Sequence, residues 1–262
     1  MRTRALFEEK IVRGSGINNV KGYTLNIIDN LIDGLTTEHF YDDLKQGSGN
    51  ELGHKFKALY SSSALVVNNF AIVKKHPVEF TFLNYSGFNK ANYERQFKTG
   101  LFDTPPNLDF AIENSEVLIA FESKYLELLD KTKVAFKESY NPEKLRYLDN
   151  FWFSLIDYYK NKELNLDVAQ LIKHSIGLLN YKPKTSKKLV LVYIYWTPIN
   201  RIKFKEYDNH SQELMEFTDL LKKQTDIKFH SITYNEFWNL YNHLPLFNNH
   251  FNKVRKRYDI NI

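Results

Sequence analysis

The sequence predicts an α/β fold in which a hairpin, a crossover helix and a buried strand share one mixed sheet. Three observations predict it. Residues 105–127, PPNLDFAIENSEVLIAFESKYLE, alternate twice, with Leu108, Phe110 and Ile112 and then Val117, Ile119 and Phe121 apolar, the pattern of half-buried strands. Residues 166–179 carry an apolar stripe at helical spacing through Leu171, Ile172, Ile176 and Leu179,. Residues 189–196, LVLVYIYW, are apolar almost throughout, as suits a strand covered on both faces and reached by a helical crossover.

From the N-terminus, residues 35–73 read as mainly helical, interrupted at Gly47, Ser48 and Gly49, with a helix resuming at Glu51. FTFLN around Phe80 reads as a short strand. The following segment reads as a loop carrying Glu94 and Arg95. After the hairpin, residues 142–159 and 166–179 read as helices and residues 189–196 as a strand. SQELMEFTDLLKK, IKFHSITY and NEFWNLYNHL then read as helix, strand and helix,. The order is αβββαβ with extra N- and C-terminal helices. A chain of 262 residues fits a single domain: 1–262, with a core at about 45–200 and an α/β extension at about 201–262.

Chemistry concentrates on the hairpin. Glu122 and Lys124, two apart, share one face of a strand. If Ser115 and Glu116 make a two-residue turn, Asn114 pairs with Val117 and Asp109 lies opposite Glu122. A slip of one residue would bury the charges among the aromatics. Two carboxylates so close are best kept ionised by a shared divalent cation, which takes oxygen ligands if it is Mg²⁺. An ammonium beside such a cation orients a water and balances charge on a phosphate oxygen, the equipment for phosphodiester hydrolysis. The alternative reading of the same residues is a solvated hairpin face with a cross-strand ion pair.

Asp109 on one strand with Glu122-Ser123-Lys124 on the next resembles the PD-(D/E)xK nuclease superfamily. Leu108 replaces the proline that usually precedes the aspartate, and Pro105 and Pro106 lie upstream. ELGHKFKALYSSSALVVN, PPNLDFAIENSEVLIAFESKY and LDVAQLIKHSIGLL, taken in that order, are similar to a bacterial restriction-endonuclease-like family within the superfamily. The resemblance covers about residues 45–200 and implies a restriction-endonuclease-like core. It also implies Mg²⁺, with Mn²⁺ as substitute, held by Asp109 and Glu122, and Lys124 as the water-positioning residue. Glu51, on the first core helix, is the candidate third acid, and Glu94 its rival. Gln170, Lys173 and His174 lie on one face of the crossover helix. Gln170 and Lys173 are the candidates to reach the phosphate. Each of these also reads as the polar side of an amphipathic helix.

The chain has no cysteine, which excludes disulfides, thiolate-bound zinc and thiol catalysis, and suits a reducing cytoplasm. A net charge of +5, with basic runs at 182–188, 201–205 and 253–257, suits a polyanion such as double-stranded DNA. No Walker, dinucleotide-binding, HExxH or G-x-S-x-G motif is present, so no nucleotide cofactor is expected. No signal peptide or membrane span is expected either. Tyr193, Tyr195 and Trp196 read as core, with stacking on unpaired bases as the functional alternative. The expectation is a metal-dependent endodeoxyribonuclease of a restriction or anti-phage system. A homodimer would supply the two active sites that double-strand cleavage needs. The alternatives are a noncatalytic DNA-binding protein on the same fold and, less well matched, a carboxylate-pair glycosidase.

Overall fold

The computed structural model describes residues 3–46, 51–102 and 105–262, with only the backbone of Glu51. The helices are α1 (Thr3–Gly14), α2 (Tyr41–Gln46), α3 (Ser62–Lys75), α4 (Asn150–Tyr159), α5 (Val168–Tyr181), α6 (Lys205–Leu221), α7 (Tyr234–Asn239) and α8 (Pro245–Tyr258). The strands are β1 (Lys90–Gln96), β2 (Asn107–Glu113), β3 (Val117–Lys124), β4 (Thr132–Lys133), β5 (Glu163–Leu164), β6 (Lys188–Tyr195) and β7 (Lys228–Thr233). The main sheet runs β1-β2-β3-β6-β7. Its β1, β2 and β3 are antiparallel, and β3, β6 and β7 are parallel. This is the predicted mixed sheet, with α5 between β3 and β6; β7, from beyond residue 200, is its fifth strand.

Each face of the sheet is covered by a different set of helices. Phe70 of α3 stacks on Phe110 at 4.5 Å and Phe121 at 4.8 Å, and Phe237 of α7 closes the group. The opposite face carries Glu122 and receives α5. Two buried amides on α3 hold the C-terminal helices in place. Asn68 Nδ2 donates to the Tyr258 hydroxyl at 2.8 Å, and Trp238 Nε1 donates to Asn69 Oδ1 at 2.6 Å. Buried polar groups paired in this way fix orientation as well as satisfying their own desolvation.

Several expectations are corrected. The region 35–73 is broken: Glu51–Lys55 is an irregular turn kinked at Gly53, and the core helix starts at Ser62, after Ser61 accepts the Ala64 N–H at 3.2 Å. The serine run is therefore a helix start, where such side chains are favoured. FTFLN is a turn closed by Phe82 and Tyr85, with Leu83 and Asn84 at φ +50° and +65°. The first strand is instead β1, inside the segment read as a loop. It is an edge strand with partial exposure along its length, so no alternation reveals it. Helix 142–159 is regular only from Asn150, after Asp149 accepts the Phe151 N–H at 2.8 Å. Tyr193, Tyr195 and Trp196 are buried and offer no stacking surface.

Two contacts fix the outer parts of the site. On the far side of β1, α2 contributes Asp43, whose Oδ2 accepts the Tyr93 N–H at 2.7 Å and pairs with Lys74 at 2.5 Å. On α5, the position of Gly177 leaves no room for a side chain, because a Cβ there would lie 2.4 Å from the Phe97 carbonyl oxygen. Gly177→Ala is therefore expected to destabilise the fold by about 1–3 kcal/mol, the usual cost of overpacking. A urea-denaturation midpoint equal to wild type would contradict this close approach.

Candidate functional site

Asn114 sets the hairpin. Its Oδ1 accepts the N–H groups of Glu116 and Val117 at 2.8 and 2.9 Å, and its own N–H donates to the Val117 carbonyl at 3.1 Å. Ser115 and Glu116 form the turn, and the ladder runs through Phe110 opposite Phe121. The paired ladder ends there, and Asp109, the next residue, lies close enough to Glu122 for their charges to interact. The Ser123 N–H donates to Asp109 Oδ2 at 2.6 Å. On the other side, β1 pairs Tyr93 with Phe110 and Arg95 with Leu108, so Glu94 lies level with Asp109. Glu94 has φ +50° and accepts from Asn107 Nδ2 at 2.9 Å.

The crossover helix completes the arrangement. Asp167 starts α5 by accepting the Gln170 N–H at 2.9 Å. Lys124 Nζ lies 2.6 Å from Glu122 Oε1 and 2.5 Å from Gln170 Oε1. His174 Nε2 lies 2.8 Å from Glu122 Oε2, an ion-pair distance short of hydrogen-bond alignment. Lys173 is placed elsewhere, its ammonium over the rings of Phe136 and Tyr140 at 5.6 and 6.0 Å. The side chain of Glu51 lies outside the described residues. A cavity of ≈ 350 Å³ opens beside Lys124 and Gln170, lined also by Arg4, Glu127, Asp130 and Tyr193. No sequence signal marked Arg4, which reaches the cavity from α1 across a long stretch of chain. The His174 contact had one signal, its four-residue spacing from Gln170.

The two facing carboxylates differ in charge. Burial raises Asp109 well above the ordinary carboxylate range; Glu122 and Glu94 push it further, against the opposing pull of Lys124 and the Ser123 N–H. Burial would also raise Glu122, yet Lys124 and His174 hold it down at about 2. Burial opposes the charge on Lys124, but Glu122, Glu127 and Asp109 raise its pKa above the ordinary lysine value. The lysine is an ammonium at every physiological pH. Burial and the neighbouring acids thus favour the protonated form of Asp109, while Lys124 favours the ionised form of Glu122,.

Among the described residues, no three His, Asp or Glu side chains form a ready-made coordination shell. The donor set nevertheless fits Mg²⁺, which is commonly held by one or two carboxylates with water and substrate phosphate completing the shell. Burial and the two neighbouring acids disfavour charge on Asp109, and a positive charge there would relieve that crowding,.

The sequence profile of the family described as Restriction Endonuclease associating with ARP matches residues 3–259. The chain belongs to this family. The match spans α1 to α8, so the mixed five-stranded sheet with its flanking helices is a restriction-endonuclease-like fold. Membership in a restriction-endonuclease family makes the chain a nuclease-family protein with DNA as its substrate class. No curated protein and no solved structure matches the chain. Among the described residues, no helix is long and apolar enough to cross a membrane.

The electrostatics predict opposite effects for two amide substitutions in metal-free buffer. Asp109 has a folded pKa above its unfolded value of about 3.9, so its contribution to stability is fully present below that value and is lost as pH rises through the folded pKa. Asp109→Asn is therefore expected to melt higher than wild type at pH 7 with EDTA, with the gap closing toward pH 4. Glu122 has a folded pKa of about 2, below its unfolded value of about 4.3, so its contribution is present above about pH 4.3 and is lost as pH falls toward 2. Glu122→Gln is expected to cost about 3–5 kcal/mol at neutral pH by leaving the buried Lys124 ammonium unpaired. Thermal melts of both variants from pH 4 to 8 check the two signs; equal shifts in one direction would sink this account.

Proposed function

We propose that the chain is a metal-dependent endodeoxyribonuclease of the PD-(D/E)xK type, cutting double-stranded DNA in a restriction or anti-phage system. The observation that carries this reading is the asymmetric carboxylate pair, with Asp109 and Glu122 at one level of the hairpin and the Lys124 ammonium against Glu122. Family membership supports the DNA substrate.

Asp109 and Glu122 would hold Mg²⁺, or Mn²⁺ in its place, with Glu94 as the third acid from β1. When bound, the metal lowers the pKa of a water and polarises the phosphate. The remaining chemistry falls to the chain's own side chains. Lys124, whose ammonium is favoured by Glu122, would act as a donor that orients the attacking water and meets charge on the phosphate oxygens,. Gln170 aims Lys124 by accepting from its ammonium. Lys173, stacked on Phe136 and Tyr140, takes no part in this scheme. Glu51, upstream of α3, remains a candidate acid. Two copies would serve two strands, and the association with ARP in the family's description suggests a partner in that system.

A noncatalytic DNA-binding role is the second reading, favoured by one observation: Lys124 already engages Glu122 Oε1, and His174 Nε2 crowds Oε2 at 2.8 Å. Incubating supercoiled plasmid with wild-type and Lys124→Ala protein in Mg²⁺, Mn²⁺ or EDTA separates the two. The nuclease reading expects cutting only with metal and a loss of at least ~100-fold in the variant, the scale of removing a transition-state donor. Intact DNA binding without cutting would establish the second reading.

A further inference from the structure

The nuclease reading gives His174 nothing to do, yet His174 is only 1 % exposed and its Nε2 sits 2.8 Å from Glu122 Oε2. Its burial rules out contact with DNA. Neither ring nitrogen has an aligned hydrogen-bond partner among the described residues, so the one close polar neighbour of the ring is the Glu122 carboxylate, 2.8 Å from Nε2. An imidazole buried for packing alone leaves its nitrogens uncompensated, and an apolar side chain would serve that purpose better.

The geometry of Glu122 shows what the histidine supplies. The terminal torsion of a glutamate is broad, because rotation about a bond to a planar carboxylate has no sharp staggered wells. Lys124 meets only Oε1, at 2.6 Å, and a single contact leaves the carboxylate plane free to turn. His174 Nε2 stands 2.8 Å from Oε2 on the helix side, so each oxygen has a close polar neighbour and turning of the plane is restricted. The holders are also coupled. Gln170, which accepts from Lys124 at 2.5 Å, lies four residues before His174, one turn away on the same helical face. Gln170, Lys124, Glu122 and His174 thus form a continuous run of contacts whose two ends are rooted in α5. The rigid helix, not solvent, sets the carboxylate plane.

We infer that His174 is a positioning residue, which holds the Glu122 carboxylate in the orientation that receives a divalent cation. The inference rests on the nuclease reading of the site. Metal-bound or metal-receiving carboxylates and imidazoles held by an outer layer of hydrogen bonds lose affinity or activity when that layer is removed.

The test uses three variants of the full chain. His174→Leu keeps the bulk and removes the polar contact. His174→Gln carries an amide nitrogen near the place of Nε2, and His174→Asn carries one near Nδ1 only. Mn²⁺ binding is read by electron paramagnetic resonance without DNA, and the Mg²⁺ dependence of plasmid cleavage at saturating DNA is read in parallel. DNA affinity in EDTA and the melting temperature are controls. His174→Leu and His174→Asn are expected to weaken Mn²⁺ binding and raise the half-saturating Mg²⁺ by ~10-fold or more, the scale of losing such a partner, with DNA affinity unchanged. His174→Gln is expected to stay near wild type. The inference is overturned if folded Leu or Asn variants titrate like wild type, or if Asn restores metal binding as well as Gln does. If the wild-type chain itself binds no Mn²⁺ and cuts nothing, the nuclease reading fails and the inference goes with it. A wild type that binds and cuts beside indifferent variants removes the positioning role alone.

Discussion

Two carboxylates facing one another across a hairpin cannot both stay ionised in a protein interior unless cations stand beside them, and this constraint organises the rest of the site. Asp109 and Glu122 come level because Asn114 fixes a two-residue turn. The compensating groups come from two places. Lys124 follows from the strand itself, two residues along the same face, whereas Gln170 and His174 come from α5. The balance is thus unequal: Lys124 favours the ionised form of Glu122, while burial and the neighbouring acids favour the protonated form of Asp109. If the pair is a functional site, this imbalance would be its cost in stability, which a positive ion would relieve.

The remainder of the fold keeps α5 and the hairpin in fixed relation. Gly177 lets the Phe97 carbonyl press against the helix, so α5 seats closely on the loop that joins β1 to β2. On the other face of the sheet the requirement is different: Phe70, Phe110, Phe121 and Phe237 pack without polar atoms. Ser123 marks the boundary between the two regimes, with its N–H on Asp109 and its hydroxyl 2.8 Å from that of Tyr234. At its C-terminal end this strand therefore carries Glu122 and Lys124 on one side and the packing of Phe121 on the other, while Leu118 and Ala120 keep the first half of the polar side in the core.

Legibility followed burial. β2, β3 and β6 read clearly because their faces are buried and alternation or apolar runs are the imprint of burial. The hairpin register followed from turn length and parity. β1 was invisible because an edge strand pairs on one side only and tolerates Lys90, Glu94 and Arg95, so Glu94 was read as a loop residue when it lies level with Asp109. The start of α3 was misplaced because Leu52 to Tyr60 have helix-like composition, and only the cap at Ser61 decides where regular helix begins. Gln170 was readable from helical phase. That Lys173, three positions on, turns instead to Phe136 and Tyr140 depends on a distant loop packing over the helix, and no local pattern encodes that.

Asp43 bears on how copies of this chain can come together. An unprotected outer strand offers a row of amides and carbonyls to any passing strand. Here the Tyr93 amide is already taken by a carboxylate from α2, which Lys74 holds in turn, and the charged side chains of β1 flank it. The margin of the sheet next to Glu94 is closed to strand-to-strand growth at its middle. Growth of the sheet through this edge would have to displace Asp43 from the Tyr93 amide, so an assembly that sets two of these sites on opposite DNA strands would have to use another surface.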